Sequence, residues 1–411
     1  MGGQKPSKDP GRLTQPAGFN SRMCILSAIG ICFVVFGHLG DIFTGVGTFY
    51  EWFPYYSFHL PLFLFITGYF FKDLTVRGAR TSGQHRASSA DSGFWLSFLK
   101  FVWKKYRTLM IPFYIINGCM ILFQLFLIGT PFALYPISFT DYLLMPWVYT
   151  QPYTFAIPTW YLAGLFISEV MYALLRGAVT ALVKKKVFAE VLLLALTLAM
   201  GVAACYVVST AQPSDAAIVY LRSVVMLFFV QAGKLYHDHL EHYDTLPSRW
   251  YFPILIVLQF VLLLISNGSK LNFGLYGLAG FGRTGIFYFI AGITGILLWL
   301  RISRLLDGAL KSSRLVCFIG RNTKYIMSFH LLGFFALNLL LMLLHNQGIA
   351  PDILGEFDPE QLYINPFYFS YQAGGPRFIL LYFLAGMGVS LLLAWAIEAV
   401  KHKLQQLRIR H

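Results

Sequence analysis

Ten long stretches of apolar residues, separated by polar segments, most constrain how this chain can fold. The hydrocarbon core of a bilayer is about 30 Å thick, and a helix crosses it in about 20 residues. Of the 411 residues, 57% are hydrophobic and 12% are charged, which is far more apolar than a soluble domain. The pattern predicts an all-α integral membrane protein with about ten transmembrane helices. The predicted spans are Met23–His38, Trp52–Phe71, Leu109–Leu127, Trp160–Leu175, Val187–Val208, Ala216–Val230, Tyr251–Ile265, Gly285–Leu300, Tyr325–Leu344 and Phe378–Val400.

Lysine and arginine are distributed unevenly around these spans. All 32 except Arg222, Lys270, Arg283 and Arg377 lie before the first span, after the last span or in every second loop. Cytoplasmic loops of membrane proteins collect basic residues, so both termini are predicted to be cytoplasmic. The net charge of +14 then reflects topology. The positive charge could also help to bind anionic lipid or phosphate on the inner face, and nucleic-acid binding is not needed to explain the charge.

The membrane unit accounts for most of the chain. Residues 1–20 lack the apolar core of a signal peptide and are predicted to be a disordered cytoplasmic tail. Residues 21–400 form a single transmembrane domain, and residues 401–411 form a basic cytoplasmic tail. The five cysteines show no metal-binding spacing and are interpreted as packing residues.

Histidines end the first apolar stretch and interrupt the second. His38 lies 16 residues after Arg22, which places it about 24 Å from the cytoplasmic end of a helix. The second span enters from outside, so His59 is also predicted in the outer half, and Asp41 follows His38 by three residues. Buried histidines either bond to neighbouring helices or mark a site, and a histidine beside a carboxylate is typical of a general base. The other residues assigned to the outer half are Trp160, Arg222 and Arg283.

Several segments resemble motifs of a known family. The segment "FHLPLFLFITGYFFK" resembles the second-span signature of the acyltransferase 3 family of membrane O-acyltransferases, in particular its fucose 4-O-acetylase-like branch. The segment "GICFVVFGH" resembles the end of the first span in that family. Ser27 occupies the position where the family motif has an arginine, and the nearest arginine is Arg22. Further similar segments are "KKYRTLMIPF", "PTWYLAGLFISE", "LFFVQAGKLY" and "FIGRNTKYIMSFH".

The resemblance implies transfer of an acetyl or similar acyl group from acyl-CoA to a hydroxyl of a cell-surface or lipid-linked carbohydrate. It implies an enzyme of the plasma membrane that binds acetyl-CoA, the lipid bilayer and a carbohydrate or glycolipid acceptor. His38 could act as a general base oriented by Asp41, or could carry the acyl group itself. The expected catalytic residues are His38, Asp41 and His59. The expected acceptor-binding residues are Trp160, Arg222, Arg283 and Tyr368, the last in an aromatic outer loop. The expected donor-binding residues are Arg22, Lys104, Lys105, Arg107, Arg321 and His330, of which His330 is predicted in the inner half.

Two other functions are compatible with the same features. Ten spans with buried histidines also suit a proton-coupled transporter of a small polar solute or glycan precursor. A membrane protein that senses or binds without catalysis is the other alternative. The histidine-rich segment "YHDHLEHYD" resembles a metal site, but solvated polar residues explain it better, and no metal is expected.

Overall fold

A computed structural model describes residues 20–39, 53–74, 87–127, 130, 138–150, 154–266, 271, 273–278, 285–349, 357, 360 and 378–410. These parts of the chain are predominantly α-helical, because apolar segments in a bilayer must satisfy their backbone hydrogen bonds internally. The helices are α1 (Ser21–Gly37), α2 (Tyr55–Tyr69), α3 (Ala87–Lys105), α4 (Ile111–Leu125), α5 (Phe139–Val148), α6 (Trp160–Leu182), α7 (Lys186–Ala211), α8 (Asp215–Leu235), α9 (Ser248–Ile265), α10 (Ile286–Leu310), α11 (Arg314–Arg321), α12 (Thr323–Asn346) and α13 (Ile379–Arg410).

Each of the ten predicted spans coincides with a helix, which confirms the all-helical membrane fold. Eight helical segments of the described chain have the length and hydropathy of a membrane span. Helices α1 and α2 are shorter, with 17 and 15 residues. The second span was predicted to begin at Trp52, which lies outside the described residues.

The basic segment before the third span is helical and joins that span directly. Helix α3 continues into α4 through a π-helical turn at Tyr106–Met110. Helix α3 carries exposed apolar side chains at Trp95, Leu96, Leu99 and Trp103.

Helix α2 lies at the centre of the bundle, against α1, α8 and α10. Its contact with α8 is very close, because glycines on both helices let the two backbones meet. A Cβ atom placed on Gly68 of α2 would lie 1.8 Å from the carbonyl oxygen of Val230, and one on Gly233 of α8 would lie 1.9 Å from that of Phe65. Small residues allow this kind of contact between membrane helices.

The start of α1, the end of α2 and the short helical turn after α8 are tied together by Glu241, which lies in that turn. Arg22 of α1 forms an ion pair with Glu241 at 2.7 Å. The hydroxyl of Tyr69, the last residue of α2, donates a hydrogen bond to the same carboxylate at 2.7 Å and accepts one from Asn20 at 3.0 Å. These bonds fix α1 and α2, the two helices that carry His38 and His59, relative to each other.

Candidate functional site

A cavity of about 290 Å³ lies inside the bundle and brings together residues far apart in sequence. Helices α1, α2, α6 and α12, the turn before α6 and the segment 273–278 contribute to its wall. Three of the predicted site residues, His38, His59 and Trp160, lie in this wall. The complete lining is Val34, His38, Tyr56, His59, Leu60, Ile157, Pro158, Trp160, Tyr161, Gly274, Leu275, Tyr276 and Met327.

His59 is held on α2 by a backbone hydrogen bond. Its Nδ1 lies 2.6 Å from the carbonyl oxygen of Tyr55. A carbonyl oxygen only accepts hydrogen bonds, so Nδ1 must carry the proton in this arrangement and Nε2 keeps its lone pair. The Tyr56 ring packs edge-on against the imidazole, with 5.4 Å between ring centroids. His59 therefore offers the cavity a fixed imidazole whose Nε2 can accept a proton or a hydrogen bond.

His38 caps the C-terminal end of α1 and is partly exposed to the cavity. Its ring centroid lies 4.8 Å from that of His330 on α12. Asp41, the predicted partner of His38, lies outside the described residues. The described partner of His38 is thus a second imidazole.

His330 lies closer to His38 than the sequence indicated. The prediction placed the two residues in opposite halves of the membrane. Instead, α12 brings its ring beside His38. Its Nδ1 lies 3.1 Å from the carbonyl oxygen of Ile326, and its buried Nε2 has no hydrogen-bond partner within the described chain. The same reasoning as for His59 gives His330 an unprotonated Nε2. Whether it contacts the donor stays a prediction.

Trp160 and Arg222 lie next to each other at the edge of the cavity. The guanidinium carbon of Arg222 lies 4.5 Å from the Trp160 ring centroid, a cation–π contact. Its Nη1 donates hydrogen bonds to the carbonyl oxygens of Thr150 at 3.0 Å and Tyr276 at 3.3 Å. The Tyr276 ring also packs against Trp160, with 5.5 Å between centroids. Two predicted acceptor-binding residues are thus in contact, while the other two, Arg283 and Tyr368, lie outside the described residues.

The cations predicted to bind the donor differ in their surroundings. Lys105 forms an ion pair with the buried carboxylate of Glu169 on α6. Arg22 is paired with Glu241, as described above. The side chains of Lys104, Arg107 and Arg321 are exposed. None of these residues lines the histidine cavity.

Sequence reasoning missed three tyrosines in the cavity wall. Tyr56 follows the start of α2, Tyr161 adjoins Trp160, and Tyr276 lies in a connecting segment. The hydroxyl of Tyr161 is buried and has no partner within the described residues, so it is available to a bound molecule. The adjacency to Trp160 could have drawn attention to Tyr161, whereas no sequence signal distinguishes Tyr276 from other loop tyrosines.

Two residues of the histidine-rich segment join a possible ligand cluster. His239, Asp238 and Glu190 each place one potential ligand atom within 4.8 Å of the others. However, the Glu190 carboxylate already accepts hydrogen bonds from Arg176 at 2.6 and 2.9 Å and from Gln231 at 2.9 Å. Asp238 is paired with Lys234 at 3.0 Å. A divalent cation would have to displace these positive groups, so the cluster is better described as an ion-pair network.

The fold and the cavity define a multi-pass integral membrane protein that encloses a pocket walled by histidine and aromatic side chains. A family model described as an acyltransferase domain matches residues 25–398. The chain therefore belongs to the acyltransferase 3 family and is a membrane acyltransferase. No curated protein and no solved structure matches the chain significantly.

Proposed function

We propose that this protein transfers an acetyl or similar acyl group from acyl-CoA to a hydroxyl of a cell-surface or lipid-linked carbohydrate, in the plasma membrane. Membership of the acyltransferase 3 family establishes acyl transfer in general. The observation that best supports the finer proposal is the cavity in which His38 and His59 share a wall with tyrosine and tryptophan side chains. Imidazoles can activate a hydroxyl, and aromatic rings with polar tips suit contact with a sugar.

In the proposed reaction, His38 takes the proton of the acceptor hydroxyl while that oxygen attacks the carbonyl carbon of the thioester. The C–O bond forms and the C–S bond breaks, so the acyl group moves to the acceptor. The departing thiolate then takes the proton from His38 and leaves as CoA. The lone pair on Nε2 of His59 accepts a hydrogen bond from the acceptor and orients it.

The donor brings phosphate groups that need cations on the inner side of the membrane. Lys104 and Arg107 are exposed near the π turn between α3 and α4. We assign the first contact with the CoA phosphates to these two residues. Lys105 is less available, because the buried carboxylate of Glu169 already neutralises it.

Family membership favours this reaction over the proton-coupled transporter. A general base typically contributes 10²- to 10⁴-fold to a rate, so removal of a catalytic histidine has a large expected effect. A transporter would use histidines for proton movement and would release no CoA.

The test measures CoA release from acetyl-CoA by purified protein in proteoliposomes, with and without a crude glycolipid extract. We expect extract-dependent release by the wild type and a loss of at least about 100-fold in His38→Ala and His59→Ala. His402→Ala is the matched control, because His402 is exposed on α13 outside the cavity. Wild-type release by folded His38→Ala would rule out the proposed base.

A further inference from the structure

Three arginine side chains are buried in the described part of the chain, and they differ in whether a carboxylate pairs with them. Arg176 pairs with Glu190 at 2.6 Å and with Asp73 at 2.5 Å. Arg301 pairs with Asp244 and also stacks on the Tyr251 ring at 4.0 Å. Arg222 stacks on Trp160 in the same way but forms no ion pair with a described carboxylate.

Among the buried arginines of the described chain, Arg222 is the one without an ion-paired carboxylate. A buried charge without a counter-ion is costly in a protein interior and costlier within a membrane. Arg222 is only 1% exposed, so water does not compensate its charge. Asp215, two helical turns earlier on α8, is exposed and makes no ion pair with it. The two carbonyl acceptors of Nη1 supply partial charges only.

The other edge of the guanidinium remains available. Nε of Arg222 is buried and has no hydrogen-bond partner within the described chain. Nε of Arg301 also lacks a partner, so that feature alone would not distinguish Arg222. What distinguishes Arg222 is that it also forms no ion pair with a carboxylate of the described chain. The edge formed by Nε and Nη2 is the one that binds a carboxylate or phosphate through two parallel hydrogen bonds.

Arg222 also lies beside the histidine cavity. Its guanidinium contacts the Trp160 ring and the carbonyl oxygen of Tyr276. Trp160 and Tyr276 are both residues of the cavity wall. Arg222 itself does not line the cavity, so the Trp160 ring and the Tyr276 backbone lie between the cavity and the guanidinium. A guanidinium that forms no ion pair within the described chain therefore lies next to the wall of the cavity.

We propose that Arg222 binds an anionic group of the acceptor, a carboxylate or a phosphate, so that the acceptor is an anionic carbohydrate. This inference rests on the proposed transfer to a carbohydrate for the identity of the ligand. The charge of the group is inferred from Arg222 itself. A sugar acid and a glycosyl phosphate both supply the required oxygens, and the experiment separates them.

The first experiment measures thermal unfolding of the purified full-length protein with four additives. They are sodium glucuronate, sodium phosphate, glucose, and potassium chloride at matched ionic strength. We expect glucuronate or phosphate to raise the unfolding midpoint above the values in chloride and glucose. The gain should disappear in Arg222→Gln and persist in Arg249→Gln, which removes an exposed arginine after the cytoplasmic turn. Glucuronate alone indicates a carboxylate site, and phosphate alone indicates a phosphate site.

The second measurement uses stability without any ligand. If Arg222 serves a ligand, Arg222→Gln should keep or raise the unfolding midpoint, because it removes a buried unpaired charge. Arg301→Gln should lower the midpoint, because it removes the closer and more deeply buried of the two arginine partners of Asp244. If Arg222→Gln cannot be purified, Arg222→Lys keeps the charge without the bidentate fork and should lose most of the anion response.

Two results of these unfolding measurements would overturn the inference. One is an anion response that is the same size in Arg222→Gln as in the wild type. The other is no anion response in the wild type. Because neither measurement uses acyl transfer, an anion site without CoA release would contradict only the proposed function. Efficient transfer to a neutral sugar, unaffected by Arg222→Gln, would contradict only the anion site.

Discussion

At the scale of single residues, the backbone sets the chemical state of two imidazoles. His59 and His330 each use Nδ1 to reach the carbonyl four residues earlier, Tyr55 O and Ile326 O. The proton on Nδ1 then leaves Nε2 as an acceptor. In both cases a backbone carbonyl of the helix accepts the hydrogen bond from Nδ1–H that a carboxylate accepts in many catalytic histidines.

This arrangement makes a prediction for His59→Asn. The asparagine amide can still donate to Tyr55 O, but the variant lacks the acceptor at Nε2. We expect a near-native unfolding midpoint and a loss of acyl transfer of at least about 100-fold, measured by CoA release. The paired variant His59→Phe keeps a ring of similar volume but loses both the donor to Tyr55 O and the acceptor at Nε2. It should be less stable than His59→Asn. Full activity in His59→Asn would show that Nε2 has no part in the reaction.

At the scale of helices, the contact between α2 and α8 positions the cavity. Gly68 and Gly233 face each other's helix so closely that backbone atoms, not side chains, occupy the neighbouring space. A backbone cannot move aside without shifting its whole helix. Helix α2 carries His59, and α8 carries Arg222 and contacts the wall residue Trp160 through it.

We therefore predict that Gly68→Ala destabilises the protein by about 1–3 kcal/mol or more, because the added methyl group overpacks the contact. Acyl transfer should fall with it, since α2 must move. Gly388→Ala on α13 is the control: a Cβ atom there meets nothing within 4 Å. It should be neutral or slightly stabilising, because alanine favours a helix more than glycine does. Denaturation in mild detergent compares the two variants.

At the scale of the whole molecule, charge and helix ends define an orientation. The basic residues lie on one predicted side of the bundle. Helix α7 offers a direct test, because Lys185 and Gln212 flank its two ends and both are exposed. Its 26 residues span about 39 Å, enough to cross the bilayer.

We predict that an impermeant maleimide labels Gln212→Cys in intact cells and labels Lys185→Cys only after permeabilisation. The experiment uses a background in which the five native cysteines are replaced. The opposite pattern would invert the membrane orientation. It would then place the exposed Lys104 and Arg107 on the wrong side for a cytoplasmic donor.

The sequence by itself determined the all-α membrane fold and the positions of the apolar helices, because hydrocarbon thickness imposes a length on every apolar span. It also identified His38, His59 and Trp160, since polar and amphipathic groups inside apolar stretches are costly and therefore conspicuous. These three residues line one cavity.

Only the tertiary structure decided which helices are neighbours. Lipid tails are as apolar as leucine, so hydrophobicity does not specify how membrane helices pair; close packing of small residues and buried polar bonds does. That is why residue counting gave no indication that the His330 ring lies beside His38. It is also why Tyr276 could not be assigned to the cavity, and why the absence of a described carboxylate beside Arg222 became visible only in the folded bundle.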